Sequence, residues 1–439
     1  MNHKNTLHLI SLGCTKNLVD SEIMLSKLKD YTLIDDNKKA DVIIVNTCGF
    51  IQSAKEESIN TILNLDQNRK KDSILVMAGC LTQRYQEELK KELIEVDIFT
   101  GVGDYDKIDE ILIKKQSRFS QKVFLQNQDT QRVVSGSTYH AYIKLSEGCN
   151  QKCSFCSIPS FKGKLLSRTL ESIIKEIKHL IKKGYFDFTF ISQDSSSYLR
   201  DHNIKNGLEK LIEEVERIKG IKSARILYLY PSTTTMELIN KISKSKVFLN
   251  YFDMPLQHIS SSLLKKMKRG KGVEKLHELM NSMKNIPNSF IRTTFIVGHP
   301  GETQKDFEEL CEYVKKFQFD RANVFSYSKE EETTSYNMKN HILQKTIDER
   351  ANILGDIITQ TTKNSLNESI NKTFEVVIDK PSNEHEYLLS ARLLLWAPNI
   401  DGELYINENQ TNEKLEFGKI YKAKITQLVE NNLLATIIQ

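Results

Sequence analysis

The chain has 439 residues, of which 39 % are hydrophobic and 27 % charged, so most of it should fold, and into more than one domain. Its formal net charge of +5 is too small to indicate nucleic-acid binding by itself. The sequence has no apolar run of about 18 residues and no secretory pattern at its start, which predicts a cytoplasmic protein without a membrane segment.

Short apolar runs alternate with helical patterns over the first hundred residues, which is typical of βαβ units and a parallel sheet. Each of the first three predicted strands ends at a cysteine, and a glycine adjoins each cysteine. Ligands of open α/β sheets bind beyond the carboxyl ends of the strands, so we expect these cysteines to converge on one crevice. Residues 1–115 are therefore predicted to form a Rossmann-like domain with a cluster site made by Cys14, Cys48 and Cys80.

A hydrophilic linker, residues 116–134, precedes a second alternating series. Its six strand-like runs, with helical patterns between them, predict a partial or complete α/β barrel of the TIM type over residues 135–368. Residues 369–439 alternate short strands without helices, which predicts a small β-barrel of the OB type.

The first barrel strand runs into the sequence EGCNQKCSFC, in which Cys149, Cys153 and Cys156 have the spacing Cys-x-x-x-Cys-x-x-Cys. An odd total of seven cysteines in a reducing compartment favours metal ligands over disulfides. A zinc site normally needs a fourth ligand, and none is close in the sequence. A redox pair would leave Cys149 unused, and buried structural thiols are the remaining alternative. Thiolates select iron-sulfur centres, and a 4Fe-4S cluster held by three of them leaves one iron open.

This motif after the first barrel strand resembles that of the radical S-adenosylmethionine superfamily. In that superfamily the open iron binds S-adenosylmethionine, which is cleaved to a 5′-deoxyadenosyl radical. Together with the N-terminal cysteines and the terminal β-domain, it makes the chain similar over essentially its whole length to the methylthiotransferases. The resemblance implies a TRAM domain at the C-terminus and two 4Fe-4S clusters, one on Cys149, Cys153 and Cys156 and an auxiliary one on Cys14, Cys48 and Cys80.

The stretch SLGCTKNLVDSE, residues 11–22, is similar to the signature of the branch that modifies small-subunit ribosomal protein S-twelve. The tRNA branches usually read Gly-Cys-Gln-Met-Asn there. The resemblance implies methylthiolation of the β-carbon of an aspartate of that protein, free or in the ribosomal subunit. It also implies a reducing partner such as flavodoxin or ferredoxin, and a monomer. Lys162 and His299 stand where the branch usually has Arg and Phe.

Several other side chains follow predicted barrel strands and are candidates to contact S-adenosylmethionine. Phe155 lies inside the cysteine motif, although core packing would explain it equally well. For the polar candidates after the second strand, loop capping is the alternative. A lone histidine in this region is more often structural than a ligand. The predicted contacts are Phe155, Ser192, Gln193, Asp194 and Arg292, with Gln257, His258 and His299 on the same face; Cys311 is expected to be buried in a helix.

The last 69 residues carry six Lys and one Arg against ten Asp and Glu, a net charge of −3. An acidic domain suits a basic ribosomal protein better than tRNA, although a solvated surface would also explain it. Two alternatives remain. One is a tRNA adenosine methylthiotransferase, and the other is a non-catalytic RNA-binding protein with zinc or a cluster. The sequence has no phosphate loop and no nucleophile elbow to support nucleotide hydrolysis or acyl transfer.

Overall fold

The structure is a computed structural model that describes residues 5–270, 272–385 and 387–439. Residues 1–4, with which the predicted N-terminal domain starts, lie outside the described residues. Within the described ranges, no helix is long and apolar enough to cross a membrane.

The N-terminal part contains a five-stranded parallel sheet, as predicted. Its central strand, with the sequence VIIVNT, is buried along its whole length because helices cover both faces of the sheet. In spatial order the sheet reads β2-β1-β3-β4-β5, with β1 Thr6–Ser11, β2 Thr32–Leu33, β3 Val42–Thr47, β4 Ile74–Gly79 and β5 Ile98–Thr100. The helices are α1 Thr15–Lys27, α2 Gln52–Asn68, α3 Cys80–Arg84, α4 Gln86–Glu92 and α5 Ile108–Lys114.

The central part contains a six-stranded parallel sheet that is open, so the predicted barrel is a partial one. Each major strand lies beside its predecessor in the chain, from β6 at one edge to β13 at the other. These strands are β6 His140–Lys144, β9 Asp187–Ile191, β10 Ser223–Ile226, β11 Phe248–Asp253, β12 Phe290–Val297 and β13 Arg321–Ser326, and a small hairpin pairs β7 Ser146–Glu147 with β8 Leu166–Ser167.

Helices separate the strands of this sheet and cover its outer face. Residues such as Ile173 and Ile177 of one helix and Leu211 of the next pack against the strands in the largest hydrophobic cluster of the chain. The helices are α6 Ile158–Lys162, α7 Leu170–Lys182, α8 Gly207–Glu216, α9 Met236–Ser243, α10 Ser261–Lys266, α11 Val273–Lys284, α12 Gln304–Phe317 and α13 Gln344–Asn367.

The C-terminal part is a closed five-stranded barrel, which confirms the expected OB-like fold. Its strand order is β14-β15-β16-β18-β17, with alternating buried side chains along β17. The strands are β14 Thr373–Pro381, β15 Leu389–Leu393, β16 Leu404–Asn409, β17 Ile420–Val429 and β18 Asn432–Ile438.

The segment Leu394–Asp401 of this C-terminal barrel packs against the inside of the six-stranded sheet. The hydroxyl of Tyr142 donates to the Pro398 carbonyl at 2.5 Å, and that of Tyr251 donates to Asp401 Oδ2 at 2.8 Å. These side chains belong to β6 and β11, upstream of the strands' carboxyl ends. The C-terminal barrel therefore leaves the carboxyl ends free for the cysteines.

A buried ion cluster fixes the same contact. Asp187, the first residue of β9, pairs with Arg225 at 2.9 Å and with Arg392 of the C-terminal barrel at 2.5 Å. Burial alone would raise the pKa of Asp187, but the two guanidinium groups outweigh it and hold that pKa well below its usual value. The carboxylate is thus the counter-ion of two buried arginines from two domains.

Candidate functional site

The three N-terminal cysteines lie at the carboxyl ends of three neighbouring strands. Cys14 directly precedes α1, Cys48 follows β3, and Cys80 is the first residue of α3. Gly13 has a φ of +83°, and a Cβ at this position would lie 2.9 Å from Cys48 Sγ. Only glycine allows that approach of the backbone to the thiol.

The thiols of this first triad are close enough to influence one another. Burial raises the pKa of Cys48 to about 11, and the neighbouring Cys14 adds to the rise. Burial also raises the pKa of Cys80, where the nearby Lys162 opposes the shift and the other two thiols add to it. The sheet therefore brings the three predicted ligands together.

The barrel cysteines lie in one loop between β7 and α6, and all seven cysteines of the chain are free thiols. Burial raises the pKa values of Cys149 and Cys156 to about 12, and Cys153 adds to both shifts. Gly148 has a φ of +69°, and a Cβ there would lie 2.1 Å from the Lys164 carbonyl oxygen. This glycine folds the loop back so that its three thiols face the same region.

Each triad is a set of three free thiols, the donor type that iron-sulfur centres prefer. Among the described residues, no three Cys, His, Asp or Glu side chains are grouped to hold a single metal ion. Within each triad, neighbouring thiols add to the rise in one another's pKa, and a bound metal would hold them as thiolates.

Two side chains that the sequence did not reveal contact the barrel triad. Arg269 Nη1 donates to Cys153 Sγ at 3.6 Å, and the Tyr230 hydroxyl lies 3.7 Å from the same sulfur. The guanidinium also stacks on the Tyr230 ring, with 4.3 Å between Arg269 Cζ and the ring centre. Tyr230 lies four residues after the end of β10, a position that could have identified it, whereas Arg269 lies three residues after the end of helix α10, which gives no such signal.

Phe155 and His299 lie together beside the cysteine loop. Their rings meet edge to face with centres 6.4 Å apart, and His299 Nε2 lies 2.9 Å from the Ser154 hydroxyl. Burial lowers the pKa of His299 to about 4, so this histidine is neutral and supports the loop. The predicted contact of Phe155 with S-adenosylmethionine stays a prediction.

The polar residues after β9 differ in how many of their hydrogen-bonding groups already have partners. Asp194 accepts from Gln151 at 2.7 Å and from Ser197 at 2.6 Å, and so caps its own loop. The buried Ser192 hydroxyl lies 3.3 Å from that of Ser195. Gln193 Nε2 donates to Glu147 at 3.3 Å, whereas its Oε1 is buried and has no partner in the described part of the chain. Of the three predicted contacts, Gln193 is the one with an acceptor atom still available.

The side chains of Arg292 and His258 pair with carboxylates of the protein itself. The Arg292 guanidinium pairs with Asp253 at 3.1 Å and with Asp401 of the C-terminal barrel at 3.4 Å. It is thereby directed toward the C-terminal domain, so its predicted contact with S-adenosylmethionine gains no support. His258 pairs with the buried Glu302 at 3.2 Å, in keeping with a structural histidine.

A buried group of four charges joins the two cysteine-bearing domains. Lys162 Nζ lies 3.3 Å from Glu147 and 3.5 Å from Asp20, and Lys144 hydrogen-bonds to both carboxylates. Burial would raise the pKa of Glu147, but the two lysines outweigh it and lower that pKa to about 2. We call Asp20, Lys144, Glu147 and Lys162 the charge quartet. Lys162, which departs from the family pattern, thus lies in the interface near Cys80.

Two residues at the mouth of the barrel, the region beyond the carboxyl ends of its strands, have strained backbone. Tyr228, just after β10, has a φ of +62°, which is unusual for a bulky side chain. Its N–H donates to Asp253 at 3.0 Å, and its carbonyl accepts from Ser195 at 3.0 Å. The Lys16 ammonium from α1 lies 3.7 Å from the centre of the Tyr228 ring. Gln257, after β11, has a φ of +71° and a buried Oε1 without a partner among the described residues.

Three parts of the chain match known families. Residues 6–101 match the uncharacterized protein family UPF0004, residues 143–314 the radical SAM superfamily, and residues 370–438 the TRAM domain. In chain order, the three matched ranges fall on the N-terminal parallel sheet, the six-stranded parallel sheet and the C-terminal barrel.

Curated relatives match the chain over nearly its full length. One from Aliarcobacter butzleri is 67 % identical over 438 residues, covering 99 % of this chain and 98 % of the relative. One from Sulfurimonas denitrificans is 62 % identical over 432 residues, covering 98 % of both. Each is named ribosomal protein uS12 methylthiotransferase RimO.

A solved structure shares the fold at low identity. It is the radical S-adenosylmethionine methyltransferase TsrM from Kitasatospora setae, at 13 % identity and a TM-score of 0.55, with 73 % of each chain covered.

Proposed function

The chain belongs to the ribosomal protein uS12 methylthiotransferase (RimO) family, and on that premise we propose that it methylthiolates uS12. We assign the modification to the β-carbon of an aspartate side chain, with two 4Fe-4S clusters and S-adenosylmethionine as cofactors. The observation that carries the assignment of the cofactors is the pair of cysteine triads. Each lies at the carboxyl ends of its own parallel sheet, and the charge quartet fixes one sheet to the other.

The residues that would hold these cofactors are the six clustered cysteines. Cys149, Cys153 and Cys156 would hold the cluster that binds S-adenosylmethionine, and Cys14, Cys48 and Cys80 would hold the second. When bound, the cofactors supply radical removal of hydrogen from an unactivated carbon and the sulfur that replaces it, chemistry that no side chain offers.

The protein itself contributes positive charge, fixed positions and the exclusion of water around these cofactors. Arg269 places a positive charge beside Cys153, where thiolate charge would develop. Tyr230 offers a hydroxyl at the same sulfur. The quartet keeps the two triads in one fixed arrangement, and its four side chains are almost inaccessible to water. Excluding water protects a radical from side reactions.

The charge of the C-terminal domain supports a protein substrate. With a net charge of −3 it would repel phosphates, whereas it complements a basic ribosomal protein. A reducing partner such as flavodoxin or ferredoxin would deliver the electron, and we propose that the enzyme acts as a monomer in the cytoplasm.

The test is anaerobic reconstitution with iron and sulfide, followed by incubation with S-adenosylmethionine, dithionite, uS12 and bulk tRNA. We expect about eight irons per chain and a methylthio mass gain on an aspartate of uS12. The same gain on tRNA adenosine would keep the chemistry and overturn the substrate. Bound zinc without cleavage of S-adenosylmethionine would overturn the enzyme and favour a non-catalytic RNA-binding protein.

A further inference from the structure

Lys16 occupies the space between the two cysteine-bearing domains. It lies in the first turn of α1, two residues after Cys14, and its half-buried side chain crosses to the barrel, where the ammonium rests on the Tyr228 ring. In the part of the chain that the structure describes, no carboxylate lies within ion-pair distance of this ammonium. A half-buried cation that has no carboxylate partner is available to an anionic ligand.

The neighbouring charges do not provide that partner. In the charge quartet two lysines balance two carboxylates, so Lys16 adds a positive charge that these four groups leave uncompensated. Gln193 hydrogen-bonds to Glu147 and lies two residues before Ser195, whose N–H donates to the carbonyl of Tyr228 at 3.0 Å. The Gln193 Oε1 is itself a buried acceptor without a partner among the described residues. The barrel mouth thus offers a cation on the Tyr228 ring and an amide oxygen on the neighbouring loop.

An acidic residue in a peptide satisfies both groups. Its carboxylate accepts from an ammonium, and its backbone N–H can donate to an amide oxygen. We infer that Lys16 binds the carboxylate of the substrate's acidic side chain and so selects an aspartate over an adenosine. This inference rests on the proposed function, which it extends to a specificity-determining residue.

S-adenosylmethionine also carries a carboxylate and is the second possible source of this chemistry. The location favours the substrate, since Lys16 belongs to the N-terminal domain and adjoins Cys14, whereas S-adenosylmethionine is expected at the loop of Cys149, Cys153 and Cys156. A third role would be to balance the charge of a cluster on Cys14. The experiment separates these roles.

The test is a binding cycle with full-length protein carrying both clusters. Labelled uS12 peptides containing the target aspartate, or asparagine in its place, are titrated into wild type, Lys16→Met and Lys16→Arg. We expect wild type to bind the aspartate peptide roughly 10- to 100-fold more tightly than the asparagine peptide. Lys16→Met should bind both peptides equally, and Lys16→Arg should keep the preference.

Lys27→Met is the matched control, because Lys27 is exposed in the last turn of the same helix. It should preserve the preference for aspartate. Iron content and the affinity for S-adenosylmethionine are measured on every variant; a loss of iron in Lys16→Met that Lys16→Arg does not share would assign the lysine to the cluster and not to the substrate.

Besides that loss of iron, three results would overturn the inference. The preference for the aspartate peptide could survive in Lys16→Met, both peptides could weaken by the same factor, or only the affinity for S-adenosylmethionine could fall. In each case wild type would still modify uS12. A wild type that leaves uS12 unmodified would instead refute the proposed function.

Discussion

The ammonium of Lys162 lies 3.5 Å from the carboxylate of Asp20, and this buried ion pair spans the boundary between the barrel and the N-terminal domain. Both side chains are almost completely excluded from water. Removing one partner of a buried pair leaves an uncompensated charge in a medium of low dielectric constant. A substitution that removes either charge of this ion pair should therefore destabilise the fold.

We expect Lys162→Met to lower the free energy of unfolding by about 3 kcal/mol, because Asp20 and Glu147 would share one lysine instead of two. Lys162→Arg keeps the charge and restores the side chain usual in the family, so its loss should be smaller. Urea unfolding followed by circular dichroism measures both. Equal losses from the two variants would show that shape, and not charge, matters at this position.

If each cysteine triad holds its own cluster, removing one cysteine should remove only half of the iron. Cys14→Ala and Cys153→Ala should each lower the iron content of reconstituted protein from about eight to about four per chain, because each removes a ligand of one cluster. Cys311→Ala is the control, since this buried cysteine belongs to helix α12 and to neither triad. Full iron content in either triad variant would contradict the ligand assignment.

His140 predicts a pH-dependent stability. Burial lowers its pKa well below the usual value; Asp187 opposes the shift, and Arg392 and Arg225 add to it. The unfolded chain takes up a proton near pH 6.5 while the folded chain does not, so this contribution to stability is present above that pH and is lost as the pH falls below it. His140→Gln, which cannot be protonated, should flatten the decline in melting temperature between pH 7 and pH 5. An unchanged slope would show that other groups cause the decline.

The ion cluster at Asp187 predicts a specific weakening of the C-terminal domain. Asp187→Asn leaves Arg225 and Arg392 buried without their counter-ion and should cost about 3 kcal/mol of stability. Limited proteolysis should then cut faster between α13 and β14, where the two domains are joined. Asp379→Asn is the matched control, because burial raises the pKa of Asp379 to about 6, so that removing its charge should not lower stability. Equal cleavage rates in the two variants would refute the role of Asp187.

The two parallel sheets, and the position of the cysteines at the edges of these sheets, could be predicted from the sequence. Strand and helix periodicities are local, and a cysteine next to the end of a parallel strand must lie at the carboxyl edge of the sheet wherever the other domains pack. Ser192, Gln193 and Asp194 were located after β9 for the same reason. The ligand and contact roles of these residues stay predictions.

Contacts between domains could not be predicted in this way. Arg292 was expected on the cofactor face because its strand leads there, but Asp401 of another domain engages its guanidinium. Arg269, Tyr230 and Lys16 were missed because their partners are distant in sequence. For Lys16 a signal existed, namely a charged residue two positions after Cys14.

One hydrophobic cluster runs through all three domains and includes Val19 of α1, Tyr142 of β6, Trp396 and Ala435 of β18. Its members in the segment Leu394–Asp401 fit the inside of the six-stranded sheet. A chimaera that exchanged the C-terminal domain with that of a relative would therefore not be a simple end-to-end graft. The donor domain would have to bring a matching segment, or the recipient barrel would need new residues at Tyr142, Tyr251 and Arg292. Exchanging the C-terminal domain therefore means exchanging its contact with the barrel as well.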